Sequence, residues 1–204
     1  MTIHRLAAAS AVAVLLAGSI AVAQNAAPVR VRGTIDSVNG STLNVTTRDG
    51  SKKVIKLADN AVVGGVASST LADVKQGGFV GITAMPQPDG TQKAVEIHIF
   101  PEAARGTGEG HRPWDLMPNS TMTNATVDSQ VTVSDGQKLV LKYKDGEKTF
   151  IVPPNVVVVS FVPATAADLK PGAKFFVVAG TEQPDGSIAA PRINVGLNGI
   201  TPPM

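Results

Sequence analysis

From Val29 onward the chain alternates apolar and polar side chains in short runs separated by turn residues. A period of two places successive side chains on opposite faces of an extended backbone, so each run predicts a strand with one face toward a core. Val29 to Val38 forms the first run, and Asn39-Gly40 after it is a hairpin signal that favours positive φ. Thr42 to Arg48 follows, with Leu43 and Val45 on one face, and Asp49-Gly50 turns into Lys52 to Leu57. A loose apolar connector leads through Val66 to Ser69-Thr70, which is suited to cap one or two helical turns, with Gly77 as their left-handed end. Phe79 to Met85 and Ala94 to Phe100 then make a hairpin across Pro-Gln-Pro-Asp-Gly.

The same succession returns about 95 residues later. Ala72-Asp73-Val74-Lys75 aligns with Ala167-Asp168-Leu169-Lys170, and Gln87-Pro88-Asp89-Gly90 with Gln183-Pro184-Asp185-Gly186. GTIDSV from Gly33 matches ATVDSQ from Ala125, and Asp49-Gly50 falls on Asp145-Gly146. Strands are expected at Ala125 to Ser134, Lys138 to Lys144, Lys148 to Val152, Lys174 to Thr181 and Ile188 to Val195, with a short helix near Thr165 to Leu169. This self-similarity predicts a tandem duplication. Three strands, a short helix and two strands is the element order of a small five-stranded OB-like barrel. The expected class is all-β with short helices, and closure would hide the sheet edges of a Val-rich chain. A flat sandwich satisfies the same periodicity. The divisions expected are a leader at 1–23, a first OB-like barrel at 24–100, a Gly/Pro-rich central loop at 101–121 and a second OB-like barrel at 122–204.

The paired VRGTIDSVNGSTLNV and LADVKQGGFVGI segments, with the central EIHIFPEAARGTGEGHRPWD, resemble a group of exported bacterial proteins built from one or two OB-like domains of unknown function. The resemblance covers nearly all of the chain after the leader and implies the barrel fold. Some members of that group carry the label of metal transporter permeases. This sequence departs from the label, since no run after the leader is long and apolar enough to span a bilayer.

The leader sets the expected compartment. Arg5 precedes an apolar run from Leu6 to Val22, and Ala21-Val22-Ala23 supplies a small-x-small cleavage pattern before Gln24. This pattern predicts a cleaved signal peptide and a periplasmic or secreted protein. The run is shorter than the ~20 apolar residues of a membrane anchor. The chain contains no cysteine, so its stability outside the cytoplasm rests on its core, and thiolate chemistry is excluded. Its 18 basic side chains, Arg5 among them, stand against 16 acidic ones. That balance, with aromatics at 4% of the chain, argues against a nucleic-acid groove with stacking platforms.

The segment from His98 to Met122 gathers what the repeat does not explain. His98 corresponds to Asn194 of the second copy and Glu96 to Arg192, so neither is demanded by the barrel. Alternation places Glu96 and His98 on one face of a strand, with Ile97 and Ile99 on the other. With the isoleucines inward, Glu96 and His98 look outward, where the loop can fold back over them. His98, His111, Glu109 and Asp115 offer imidazole and carboxylate ligands, and the thioethers of Met117 and Met122 shift the preference toward copper. Cu or Zn is the metal expected there, although the spacing matches no tight metal signature. Against that stands a packing role, with Glu102–Arg105 and Asp115–Arg112 as local ion pairs pinning the loop. Trp114 is either a wedge between barrels or, beside Arg112 and Asp115, a platform for a sugar of the cell envelope. Glu102, Arg105, Arg112 and Trp114 are the candidate partner-binding residues.

Gly106-Thr107-Gly108-Glu109-Gly110 lacks the strand and helix that flank a phosphate loop, and Glu109 would repel phosphate. Ser120, His111 and Asp115 hold the ingredients of a triad without a framework to orient them. The expected function is a non-enzymatic, soluble periplasmic binding or accessory protein with a transition metal ion as the testable ligand. The competing reading is a non-catalytic envelope module that docks a protein or glycan.

Overall fold

The computed structural model describes residues 27–134 and 136–203. The leader expected at 1–23 lies outside the described residues. Twelve strands are present among them: β1 (Val29–Asn39), β2 (Thr42–Thr47), β3 (Lys52–Ser68), β4 (Phe79–Pro86), β5 (Gln92–Ile99), β6 (Gly110–Pro113), β7 (Thr121–Val133), β8 (Gly136–Tyr143), β9 (Gly146–Val152), β10 (Val157–Pro163), β11 (Lys174–Glu182) and β12 (Ile188–Gly196). The expected helices are single 3-10 turns at Leu71–Asp73 and Ala166–Asp168. Each is closed by an acidic side chain that accepts the N–H of the preceding threonine, Asp73 from Thr70 at 2.9 Å and Asp168 from Thr165 at 2.8 Å. Gly77 has a left-handed φ of +79°, but it is not the end of the helical turn, which stops at Val74 in extended backbone.

The strands close into rings that cut across the division expected at 24–100 and 122–204. β1 pairs with β2, β2 with β3, β3 in parallel with β12, β12 with β11, and β11 returns to β1. That barrel takes three strands from the first half of the chain and two from the last forty residues. A second ring runs β7, β8, β9, β5, β4 and back to β7, and its β9–β5 closure is short, from Gln92↔Phe150 to Lys93↔Ile151. The two halves thus exchange their C-terminal hairpins, rather than each closing on its own strands within 24–100 and 122–204. Periodicity fixes which side chains of a strand share a face. It carries no information on which strand lies alongside.

Two stretches expected as irregular are strands for the same reason. β3 continues through the apolar connector to Ser68, and its far end pairs antiparallel with β10. That pairing is nearly reciprocal about Val66↔Phe161, with Gly64 opposite Pro163 and Ser68 opposite Val159. It stitches the rings together, since β10 also runs parallel to β5. β6, inside the expected central loop, adds to the outside of β7.

Each ring encloses its own core. Ile35, Leu43, Val45 and Ile55 meet Phe175, Val177, Ile188 and Ile193 in the first, and Val80, Ile82 and Ile97 meet Val127, Leu139, Leu141 and Phe150 in the second. Full burial of such a side chain contributes roughly 1.5–3 kcal/mol. Each core therefore depends on side chains delivered from the other half. Between the rings, Val66, Met122, Val159, Phe176 and Trp114 form a third apolar cluster.

Candidate functional site

The central segment folds onto the barrels as a fixed strap. Arg105 donates to Glu102 Oε2 at 2.7 Å, to the Gly77 carbonyl at 2.9 Å and to Thr126 Oγ1 at 3.2 Å. The Arg105 bonds hold the Glu102 carboxyl below its ordinary range. Glu109 accepts the Lys144 backbone N–H at 3.0 Å, tying the strap to the β8–β9 turn. Trp114 and Ser120 close the far end: the Trp114 backbone N–H donates to the Ser120 carbonyl, while Ser120 Oγ donates to the Met117 and Trp114 carbonyls.

Glu96 and His98 are placed on one face of β5 as alternation requires, but that face is buried, with Glu96 1% and His98 3% exposed. Phe161 from β10 and Phe100 pack edge-on against the imidazole, and β10 belongs to the other half of the chain. The outward, loop-covered position expected from sequence is corrected accordingly. Glu96 Oε1 lies 2.7 Å from His98 Nδ1, and Glu96 Oε2 accepts Thr83 Oγ1–H at 2.7 Å. Against a carboxylate Nδ1 acts as the donor, so Nε2 is the nitrogen left for another partner. It lies against Gly81, where a Cβ would fall 1.9 Å from Nε2 and 2.6 Å from Asn124 Oδ1. Asn124 donates to the Thr107 carbonyl at 2.9 Å, and its Oδ1 has no hydrogen-bond partner among the described residues.

The six expected metal ligands are dispersed over separate roles. His111 Nδ1 bonds Thr123 Oγ1 at 2.7 Å, Glu109 holds Lys144, and Asp115 takes two bonds from Arg32. Met122 is buried in the central apolar cluster, while Met117 lies exposed on the strap. Among the described residues no three His, Asp or Glu side chains gather as a metal set. Ser120, His111 and Asp115 likewise each have other partners, and no triad forms. His111 is held below its usual pKa by burial and by the charges of Lys148 and Arg112.

Trp114 is 9% exposed and wedged in the cluster between the rings, edge-on to Phe176. Two guanidiniums cover it, Arg30 at 4.2 Å and Arg112 at 5.5 Å from the ring centroid. The indole is thus not an open platform for a sugar. Asp115 pairs with Arg32 at 2.8 Å rather than with Arg112, and approaches Arg30 at 3.7 Å. Burial would raise the Asp115 carboxyl, but the Arg32 bonds and the charges of Arg32 and Arg30 outweigh it and hold the group below its ordinary value. Arg112 donates to the Gly108 carbonyl at 2.7 Å and has no carboxylate partner among the described residues. Burial, then the charge of Arg30, lowers its pKa.

Arg30 and Arg32 are the site residues the sequence reading passed over. They open onto a cleft of about 450 Å³ on the first barrel, lined also by Arg48, Lys53, Thr47, Ser51 and Asp115. The signal was present in Val29-Arg30-Val31-Arg32, whose alternation puts both arginines on one face of β1. What the alternation could not show was the strap residue that meets them, Asp115, 83 positions from Arg32. No protein-family model, curated protein or solved structure matches the chain.

Proposed function

We propose that the chain is an exported, non-catalytic binding module of the cell envelope. It engages its partner, a protein or a glycan, at the cleft where the central strap crosses the first barrel. The observation that carries this reading is the strap's construction. Residues 101–121 are held by Arg105, Glu109, Trp114 and Asp115 so that Asp115, Arg30 and Arg32 are fixed beside a cleft that the strap itself helps to line. Rigid presentation of charged groups lowers the ordering cost of recognition. The leader supports export, and among the described residues no helix is long and apolar enough to cross a membrane. A duplicated barrel unit accounts for the matching element order and the reciprocal exchange of hairpins.

A transition metal ion, Cu or Zn, has less support as the ligand, because His98, His111 and the carboxylates are each engaged elsewhere. The test is quantitative binding of the exported chain, starting at Gln24, to separated envelope glycan and envelope protein fractions, with Arg30→Ala alongside. Saturable binding to one fraction, weakened in the variant, is the expected result. Binding to neither, or chemical turnover of the glycan, would defeat the reading. Native mass spectra with Cu and Zn complete the test: a one-to-one adduct lost in His98→Ala/His111→Ala would restore the metal.

A further inference from the structure

The surroundings of Trp114 hold more hydrogen-bond donors than acceptors. Three guanidiniums, Arg30, Arg32 and Arg112, come together there with one carboxylate, Asp115. Arg32 takes both Asp115 oxygens, at 2.8 and 3.2 Å. Among the described residues, that leaves Arg30 the 3.7 Å approach to Asp115 and leaves Arg112 a single backbone carbonyl. The Trp114 indole N–H is buried without an acceptor among the described residues. A half-buried cation beside another cation is costly unless an opposite charge completes the set.

The cleft next to this cluster makes the imbalance available to a ligand. Its volume of about 450 Å³ falls in the range of small-molecule sites. Lys53 on its wall is paired with Glu182 at 3.4 Å. A second cavity on the same barrel, beside Asp36, Lys52, Lys56 and Asp185, offers a contrast. There Lys52 pairs with Asp36 at 3.0 Å, Lys56 with Asp185 at 2.7 Å and Lys53, which lines both cavities, with Glu182, so each lysine already has a carboxylate. Of the two, the cleft at Arg30 is the one that keeps a guanidinium without a close carboxylate among the described residues.

We propose that Arg30 on the wall of this cleft, together with Arg112, which shares the Trp114 ring with it, binds an oxyanion, a carboxylate or phosphate group carried by the partner. The inference rests on the binding-module reading and names the chemistry its cleft takes. Stacking on the indole pre-orients the Arg30 fork, and a planar guanidinium meets two oxygens of such a group at once. Asp115 holds Arg32 and fixes the distance between the strap and β1.

Trp114 is the chain's single tryptophan, so its fluorescence reports on the site directly. The exported chain is titrated with inorganic phosphate and, separately, with citrate, against chloride at matched ionic strength, and calorimetry runs in parallel. A saturable change with either anion is expected, and which one binds tells a phosphate source from a carboxylate source. Arg30→Met and Arg112→Met should each weaken it about tenfold, the value of one charge-assisted hydrogen bond. Arg30→Lys should fall between, and Lys56→Met should leave affinity unchanged. No saturable signal with either anion, or affinity indifferent to Arg30→Met and Arg112→Met in folded variants, overturns the proposal. Binding of a neutral envelope glycan with no anion response would overturn the oxyanion alone and leave the binding module standing.

Discussion

One row of side chains crosses β4, β5 and β10, and a matching row crosses β11, β12 and β3. They occupy the same register in the two rings, and they fill it differently. In the first, Gly81, His98 and Val159 stand side by side, and in the second Phe176, Asn194 and Gly64 do. The large ring sits on the last strand in one row and on its neighbour in the other. Glycine opens the space in both, at Gly81 for the imidazole and at Gly64 for the Asn194 amide, whose Oδ1 lies 2.6 Å from where a Cβ would be. Total volume is roughly conserved while its chemistry is not, as close-packed interiors permit. The flanking position separates the rows further, since Glu96 is buried with His98 whereas Arg192, its counterpart, is exposed. A shared backbone plan therefore leaves room for one ring to keep a buried polar pair that the other does not need.

The largest effect is expected from breaking the exchange on which both rows depend. A fragment ending at residue 100 keeps β1 to β5 but loses Phe175, Val177, Ile188 and Ile193 from its first core. It should show no cooperative urea transition, and mixing it with a 101–204 fragment should restore one. A fragment 24–100 that unfolds cooperatively by itself would mean that each half can close on its own strands.

Next comes the polar pair. Glu96→Ala strips both Thr83 Oγ1 and His98 Nδ1 of their partner inside a buried site and leaves a cavity, at a cost of about 3–4 kcal/mol. Urea unfolding measures it. A loss below ~1 kcal/mol would show that water reaches the pair and that the site is not sealed.

The glycines give a finer comparison. Gly81→Ala drives a methyl into His98 Nε2 and should cost about 2–3 kcal/mol, because the imidazole is pinned by Glu96 and cannot swing away. Repeating it on a His98→Asn background, which copies the second row's residue, should lower that cost by at least ~1 kcal/mol. Gly64→Ala meets only the end of an amide side chain and should cost nearer ~1 kcal/mol. Equal losses at Gly81 and Gly64, with no coupling to His98, would erase the distinction between the rows.

What the sequence made legible divides along the same line. Turns and strand faces were readable because they are local: the positive-φ turn at Gly40, the helical turn that follows Ser69-Thr70 and the inward Ile97 are all present. The exchange was not, because β3 pairs with β12 across some 130 positions and a parallel partner leaves no mark on either strand. The same blindness moved Glu96 and His98 to the surface, since Phe161 covers them from the other half. Asp115 was assigned to its sequence neighbour Arg112 and bonds Arg32 instead, because short spacing says nothing about which way a loop side chain turns. Arg30 had its signal in plain view and lacked only its counterpart on the strap.

The smallest effect concerns acid. His111 lies on β6, which adds to the β4–β5–β7–β8–β9 ring, so a loosening linked to its proton should be confined to that side. In the fold, burial and the charges of Lys148 and Arg112 hold His111 below the ordinary imidazole value near 6.5. Below that value the unfolded chain takes up a proton that the folded chain refuses, so stability falls as pH drops from about 6.5, until the folded group itself titrates. The slope is bounded by one proton, about 1.4 kcal/mol per pH unit. Amide exchange at Thr123 and Asn124 on β7 should therefore accelerate between pH 7 and 5 beyond the intrinsic rate, while amides of β1 near Ile35 hold steady. His111→Gln, which can keep a hydrogen bond to Thr123, should flatten the β7 response. An acceleration shared equally by β1 and β7, or one that survives His111→Gln, would show that acid acts on the exchanged rings as one body and not through this histidine.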